Sequence, residues 1–267
     1  MKIAVCFKVV PDFDQVIEAD WDNFSLSADL GYVRRIFGCF DESALETALR
    51  LRSAWEELGE KTECTAVTAA PLPSSFRETL FAAGFDRVLD LSGASCEEFG
   101  SRHTAALLGS CLGPVSYDLI LAGRQAGYAD TGIIPLFLAE ILNIPAITEA
   151  GEITPCSGGV EVKRTNATGR ERLRLRLPLL AVLGNSPVSA LRAVTLNARM
   201  AASKRSAERP EGVPFPRAAE ITGEEPDLDG TSRFGREKRH KACRFLPSGA
   251  GLAQSAAFLV TEYLNRG

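Results

Sequence analysis

Tyr117-Asp-Leu-Ile-Leu-Ala-Gly-Arg-Gln-Ala-Gly-Tyr-Ala-Asp-Thr-Gly132 runs directly into the apolar segment 133–142. The first six residues read as a buried strand and the last ten of the pair as a helix, which Asn143 and Pro145 end. The turn between them is rich in small and polar residues. In an open α/β sheet, ligands lie at the carboxyl ends of the strands, and a helix N-terminus there offers unpaired N–H groups and the positive end of a dipole. Gly127, Ala129 and Gly132 would let backbone approach an anion closely. From the residues alone the turn is either a phosphate cradle or an ordinary strand-to-helix connection capped by Asp130.

The same alternation extends towards the start of the chain. Residues 3–10 form a β-branched run broken by Pro11, which reads as a buried first strand. Residues 12–40 carry few periodic cues. Asp41 then stands as an N-cap before Ala44, Ala48, Leu51, Trp55 and Leu58, spaced as one face of an amphipathic helix that Gly59 closes. Strands at 62–68 and 87–91 and helices at 74–83 and 97–112 follow. Strands and helices of these lengths in alternation predict an α/β fold with a doubly wound, mainly parallel sheet.

Downstream of Ile147 the pattern becomes antiparallel. Segments 160–165 and 171–177 are joined through Asn166-Ala-Thr-Gly169. In the second of them Arg172, Arg174 and Arg176 alternate with Leu173, Leu175 and Leu177, so that leucines face a core and arginines face solvent or a partner. Residues 179–183 are one more buried strand, and a helix is expected over 189–202. The reading is a domain over 1–203 and an extended arm over 204–267, poor in apolar periodicity until a final helix at 251–264.

Composition narrows the function. The 267 residues are 45% hydrophobic and 24% charged, with 30 Lys+Arg against 34 Asp+Glu and a net charge of −4. No global positive field exists to hold a nucleic acid, and the basic run 236–241, beside the acidic stretch 224–229, reads as a solvated arm. No apolar run approaches the roughly 20 residues of a membrane span, and the opening residues meet Pro11 before a secretory segment could finish, so a cytoplasmic location is expected. Seven scattered cysteines without a Cys-x-x-Cys pair, and two histidines, His103 and His240, read as surface residues, signal neither a disulfide framework nor a metal centre. The P-loop signature is absent. No catalytic acid, base or nucleophile stands out.

Taken in order, five segments resemble the beta subunit of electron transfer flavoproteins. Val5-Cys-Phe-Lys-Val-Val-Pro-Asp12 is similar to the family's opening V-x-V-K-x-V-x-D, and Phe40-Asp-Glu-Ser-Ala-Leu-Glu-Thr-Ala-Leu-Arg-Leu51 to its F-D-E-x-A-L-E-x-A-L-x-L helix. Gly84-Phe-Asp-Arg87 resembles G-A-D-R, Gly123-Arg-Gln-Ala126 with Asp130-Thr131 resembles G-R-Q-A-x-D-x-D-T, and residues 173–178 resemble L-R-L-K-L-P. The match covers roughly residues 1–203.

The resemblance implies an electron-transfer subunit without bond-making catalysis of its own. It would pair with an alpha subunit, share that subunit's FAD, and bind a second nucleotide, FAD or AMP. The second nucleotide would lie against Cys6, Phe7 and Lys8, with Phe40 and Ala69 nearby. Its phosphates would meet Asp130, Thr131, Gly132, Ile133 and Ile134, and Gly123, Arg124 and Gln125 complete the loop. Apolar Ile134 and the Pro11-Asp12 pair resemble members that hold FAD there. The arm would wrap the alpha subunit, and a flavin dehydrogenase would dock near Leu191. The alternative is a nucleotide-binding module of this fold that has lost electron transfer.

Overall fold

The computed structural model describes residues 1–17, 30–92, 100–127, 131–167 and 169–210, together with the short antiparallel pair Trp21–Asp22 (β3) and Ser27–Ala28 (β4). Asp130, Cys96, His240, Cys243, the run 236–241 and the expected final helix at 251–264 lie outside the described residues.

The central strands are β1 (Lys2–Cys6), β6 (Glu63–Thr68), β7 (Arg87–Asp90), β8 (Leu119–Gly123) and β12 (Leu179–Leu183). All are parallel, and they adjoin an antiparallel extension of β9 (Ala146–Cys156), β10 (Gly159–Asn166) and β11 (Gly169–Arg176). The eight-stranded order is β11-β10-β9-β12-β8-β1-β6-β7. The expected α/β class with a mainly parallel sheet and antiparallel extension is observed. In β8 and β12 every residue is buried, the mark of strands covered on both faces.

Helices α1 (Cys39–Glu57), α2 (Ser74–Ala83) and α5 (Leu196–Ala202) enclose one core with alternate sheet residues such as Ile3, Val5, Leu119 and Leu121. Helices α3 (Ser101–Leu112) and α4 (Ile134–Leu142) enclose the other with Ala4, Cys6, Ile120 and Leu180. The chain leaves β1 through α1 to β6, continues to β7, and returns through α3 to β8 on the other flank of β1. The order reverses at β1 and β8, and their carboxyl ends flank the crevice where such folds take ligands.

Several local expectations are corrected. The first strand ends at Cys6, and Val9–Pro11 (β2) leaves the main sheet to pair with Arg35–Phe37 (β5). A three-residue strand has too short a pattern to be read in advance. Helix α1 starts at Cys39 with Gly38 at its N-cap, so Asp41 lies within the first turn and does not cap. Helix α5 is shorter than the expected 189–202, because the chain before Thr195 follows α1 as a loop. His103 is buried in the first turn of α3, not on the surface. Residues beyond 203 still touch the sheet: Glu208 N donates to Val88 O at 2.8 Å and Glu208 O accepts from Asp90 N at 2.9 Å.

Candidate nucleotide crevice and docking loop

Because α1 begins before Asp41, that side chain is free to reach sideways. Its Oδ2 accepts from Lys8 N at 2.9 Å and its Oδ1 from Gly123 N at 3.1 Å, so one buried carboxylate joins the ends of β1 and β8. Bonds from N–H to a buried charged acceptor are strong, and a lone buried carboxylate would be costly. Gly123 is required by this approach. A methyl there would lie 2.6 Å from Asp41 N and 2.7 Å from the carbonyl carbon of Phe40.

The neighbouring amides are also engaged. Phe7 N donates to Val67 O at 3.0 Å, Arg124 N to Leu183 O at 3.0 Å, and Lys8 O accepts from Gly38 N at 2.9 Å. The floor of the crevice already holds its own anion, Asp41. A phosphate placed there would meet a carboxylate instead of open N–H groups.

The α4 end differs. Among the described residues no side chain caps α4, and Gly132, at φ +69°, occupies the left-handed region that favours glycine, where a methyl would lie 3.0 Å from Arg124 O. Thr131 Oγ1 lies 2.8 Å from Ser101 Oγ, which brings the starts of α3 and α4 side by side. Gln125, Thr131 and Ile133 are exposed, and Ile134 is half-buried.

The expected site residues therefore separate into two groups. Cys6, Phe7, Lys8, Ala69 and Gly123 gather at the strand ends, whereas Thr131, Gly132, Ile133 and Ile134 gather at the start of α4. The Phe7 ring is buried edge-on to Phe37 at 5.8 Å between centroids, so only its backbone faces the crevice. Burial above all, then the Asp41 charge and Cys111, pushes the Cys6 thiol far up, so it is a neutral packing group and not a redox thiolate. Among the described residues no cluster of three His, Cys, Asp or Glu could hold a metal, and no helix is long and apolar enough to cross a membrane.

Arg124 turns towards the α1 side. Its guanidinium lies 4.5 Å above the Phe40 ring centre and pairs with Glu149 Oε1 at 3.1 Å. Glu149, at a φ of +57° that is rare for a side chain of its kind, was not legible as the partner of Arg124, because only the folded sheet brings the two residues together. Gly184 accommodates it: a methyl there would lie 3.0 Å from Glu149 Cα.

Leu191 sits in the loop after β12, half-buried against the α1 core. Two carboxylates on successive turns of α1 hold this loop. Leu191 N donates to Glu42 Oε1 at 3.1 Å, and Arg192 donates to Glu46 Oε2 from both N and Nε at 3.0 Å. Burial alone would raise the Glu46 carboxyl, but the bonds from Arg192 and Arg50 outweigh it and hold the group below its usual range.

The chain matches the electron transfer flavoprotein domain over residues 32–211, two thirds of its length. It belongs to the electron transfer flavoprotein family. Among its relatives is the acryloyl-CoA reductase electron transfer subunit gamma of Anaerotignum propionicum, 31% identical over 208 residues, covering 75% of this chain and 73% of the relative. Another is the electron transfer flavoprotein subunit beta of Thermoanaerobacterium thermosaccharolyticum, 28% identical over 180 residues, covering 67% and 66%. Both relatives bear names of electron-transfer subunits, one of them within a reductase complex. The family match spans Asp41, the Arg124 loop, the start of α4 and Leu191 alike.

Proposed function

We propose that the chain is a beta-type electron transfer flavoprotein subunit that acts in the cytoplasm and holds an adenine nucleotide across the β1/β8 crevice. It pairs with an alpha subunit, shares the FAD of that subunit, and serves a flavin dehydrogenase that docks at the loop bearing Leu191. The arm 204–267, apart from the residues around Glu208 that stay on this chain's own sheet, secures the alpha subunit. The observation that supports this reading is the division of labour at the strand ends: Asp41 fills the crevice floor, while the positive end of α4, begun through the left-handed Gly132, lies apart from that carboxylate.

The residues fit such a group. Adenine would lie on the backbone of residues 6–8 beside Ala69, and phosphate would meet the N–H groups of residues 131–134, in a turn whose shape depends on Gly132, where a Cβ would crowd Arg124 O at 3.0 Å. Apolar Ile134 offers no hydroxyl there, in keeping with FAD as the second nucleotide instead of AMP. When bound, flavin supplies the electron chemistry. The chain's own part is to bind, orient and shield it, and no side chain here has to move a proton.

The test is Gly132→Val in the complex with the alpha subunit, followed by denaturation and quantification of FAD and AMP. The second nucleotide is expected to fall at least about tenfold, equivalent to roughly 1.4 kcal/mol, with the alpha-bound FAD retained and the fold intact by circular dichroism. Unchanged content of both nucleotides refutes the phosphate placement. Absence of any nucleotide and of any complex in the unaltered protein would favour the module without electron transfer.

A further inference from the structure

β11 ends the sheet order, so along its outer side alternate N–H and C=O groups face no strand among the described residues. Natural edges are commonly blunted by shortness, bulges or proline. β11 is eight residues long, keeps continuous register with β10 from Gly159↔Arg176 to Asn166↔Gly169, and contains no proline. It is a regular, open template.

Its one guard is charge. Arg170, Arg172, Arg174 and Arg176 occupy alternate positions, all exposed, while Leu173 and Leu175 point to the other face and pack on the core. At the spacing of a strand the guanidinium groups repeat about every 6.8 Å. Local neutralisation is incomplete. Glu161 serves both Arg172 and Arg174, at 3.3 and 3.5 Å, and Lys163 on the same face is tied to Glu152 at 2.8 Å. Arg170 and Arg176 have no carboxylate within ion-pair distance among the described residues. From Gly159 to Arg176 there are six basic side chains and two acidic ones, in a chain of net charge −4.

We infer that β11 is a docking edge for a partner protein, which adds an extended segment with carboxylates at every second residue. The inference is independent of the nucleotide reading. Strand addition supplies main-chain hydrogen bonds, and the arginine repeat sets register and sign, because opposite charges on adjacent strands attract and like charges repel. A second copy of this chain is excluded as the occupant, since edge-to-edge pairing would set arginine against arginine. Nucleic acid is disfavoured because the hairpin from Gly159 to Arg176 has no aromatic side chain on which a base could stack. A lipid surface is disfavoured because the leucines are turned inward.

The probe is a fluorescent peptide of about nine residues alternating Glu and Val, matched in length to β11. Two further versions are N-methylated at the odd or the even residues, and anisotropy is read on the full chain. Binding is expected to survive one methylation pattern and disappear with the other, because only one set of amides faces the edge. The triple variant R172E/R174E/R176E is expected to lose affinity at least about tenfold, and R172K/R174K/R176K, which keeps the charge, to retain most of it. Amide exchange should slow at alternate residues of β11 when the peptide binds. Equal binding of both methylated peptides would overturn strand addition and leave bare charge attraction. Preference for heparin, oligo-dT or phosphatidylserine vesicles over the peptide would overturn the choice of a protein. No binding to any probe would mean that the arginines only protect the edge.

Discussion

The parallel and antiparallel halves of one continuous sheet solve burial differently. β8 and β12 read as unbroken apolar runs because helices cover both faces, and all ten of their residues are buried. β11 reads as strict alternation because one face lies on the core and the other is open. A strand's composition thus reports how many neighbours it has across the sheet, beyond the fact that it is a strand. The doubly covered half carries the crevice, and the singly covered half presents a charged face and edge.

The largest effect should come from removing equal side chains from the two halves. Leu119→Ala, at a fully buried position of β8, is expected to cost about 2–5 kcal/mol. Leu173→Ala, half-buried in β11, should cost about 1 kcal/mol. Urea unfolding midpoints compare them directly, and equal losses would break the distinction between the halves.

A smaller effect is expected at the Asp41 clamp. Asp41→Asn removes the charge and turns one amide N–H towards a backbone N–H, at a cost of about 1.5–3 kcal/mol. Hydrogen exchange should quicken at Lys8 and Gly123 and stay unchanged in β10 and β11. Spread of the change into the hairpin would show that the halves open together.

The smallest effect belongs to the loop that returns from β12 to α1. The Glu46 carboxyl titrates lower in the folded chain than in the unfolded one, so its contribution is complete above the unfolded value of about 4.3 and is lost as acidity carries the pH down through the lower folded value. Glu46→Gln should cost about 1 kcal/mol at neutral pH, and the gap from the unaltered chain should narrow as the pH falls from about 4.3 through the lower folded value. Acid unfolding of the two proteins, followed side by side, checks this.

Much of the fold was legible because burial leaves a periodic trace. The alternating β and α segments and the Arg-Leu hairpin follow directly from where apolar residues recur. The site was legible only in part. Glycines and small residues marked the loop at 123–132, and the family resemblance pointed to the backbone of residues 6–8 and 130–134 as the proposed nucleotide contacts. Asp41 was read as a cap because an acid before an apolar helix ordinarily is one. Its bridging role depends on β1 and β8, 33 and 82 residues away, meeting at that turn. Glu149 and the Glu46–Arg192 pair were invisible for the same reason, since each joins segments whose proximity only the folded sheet creates.

One rod serves both sites. Asp41 holds the crevice from the first turn of α1, and Glu42 and Glu46 hold the loop bearing Leu191 from the first and second turns. Five residues of helix span about 7.5 Å, less than the width of two side chains. A partner docking on that loop, as proposed, would load the same stiff lever that closes the crevice, and the two cannot shift independently without breaking one of three carboxylate anchors.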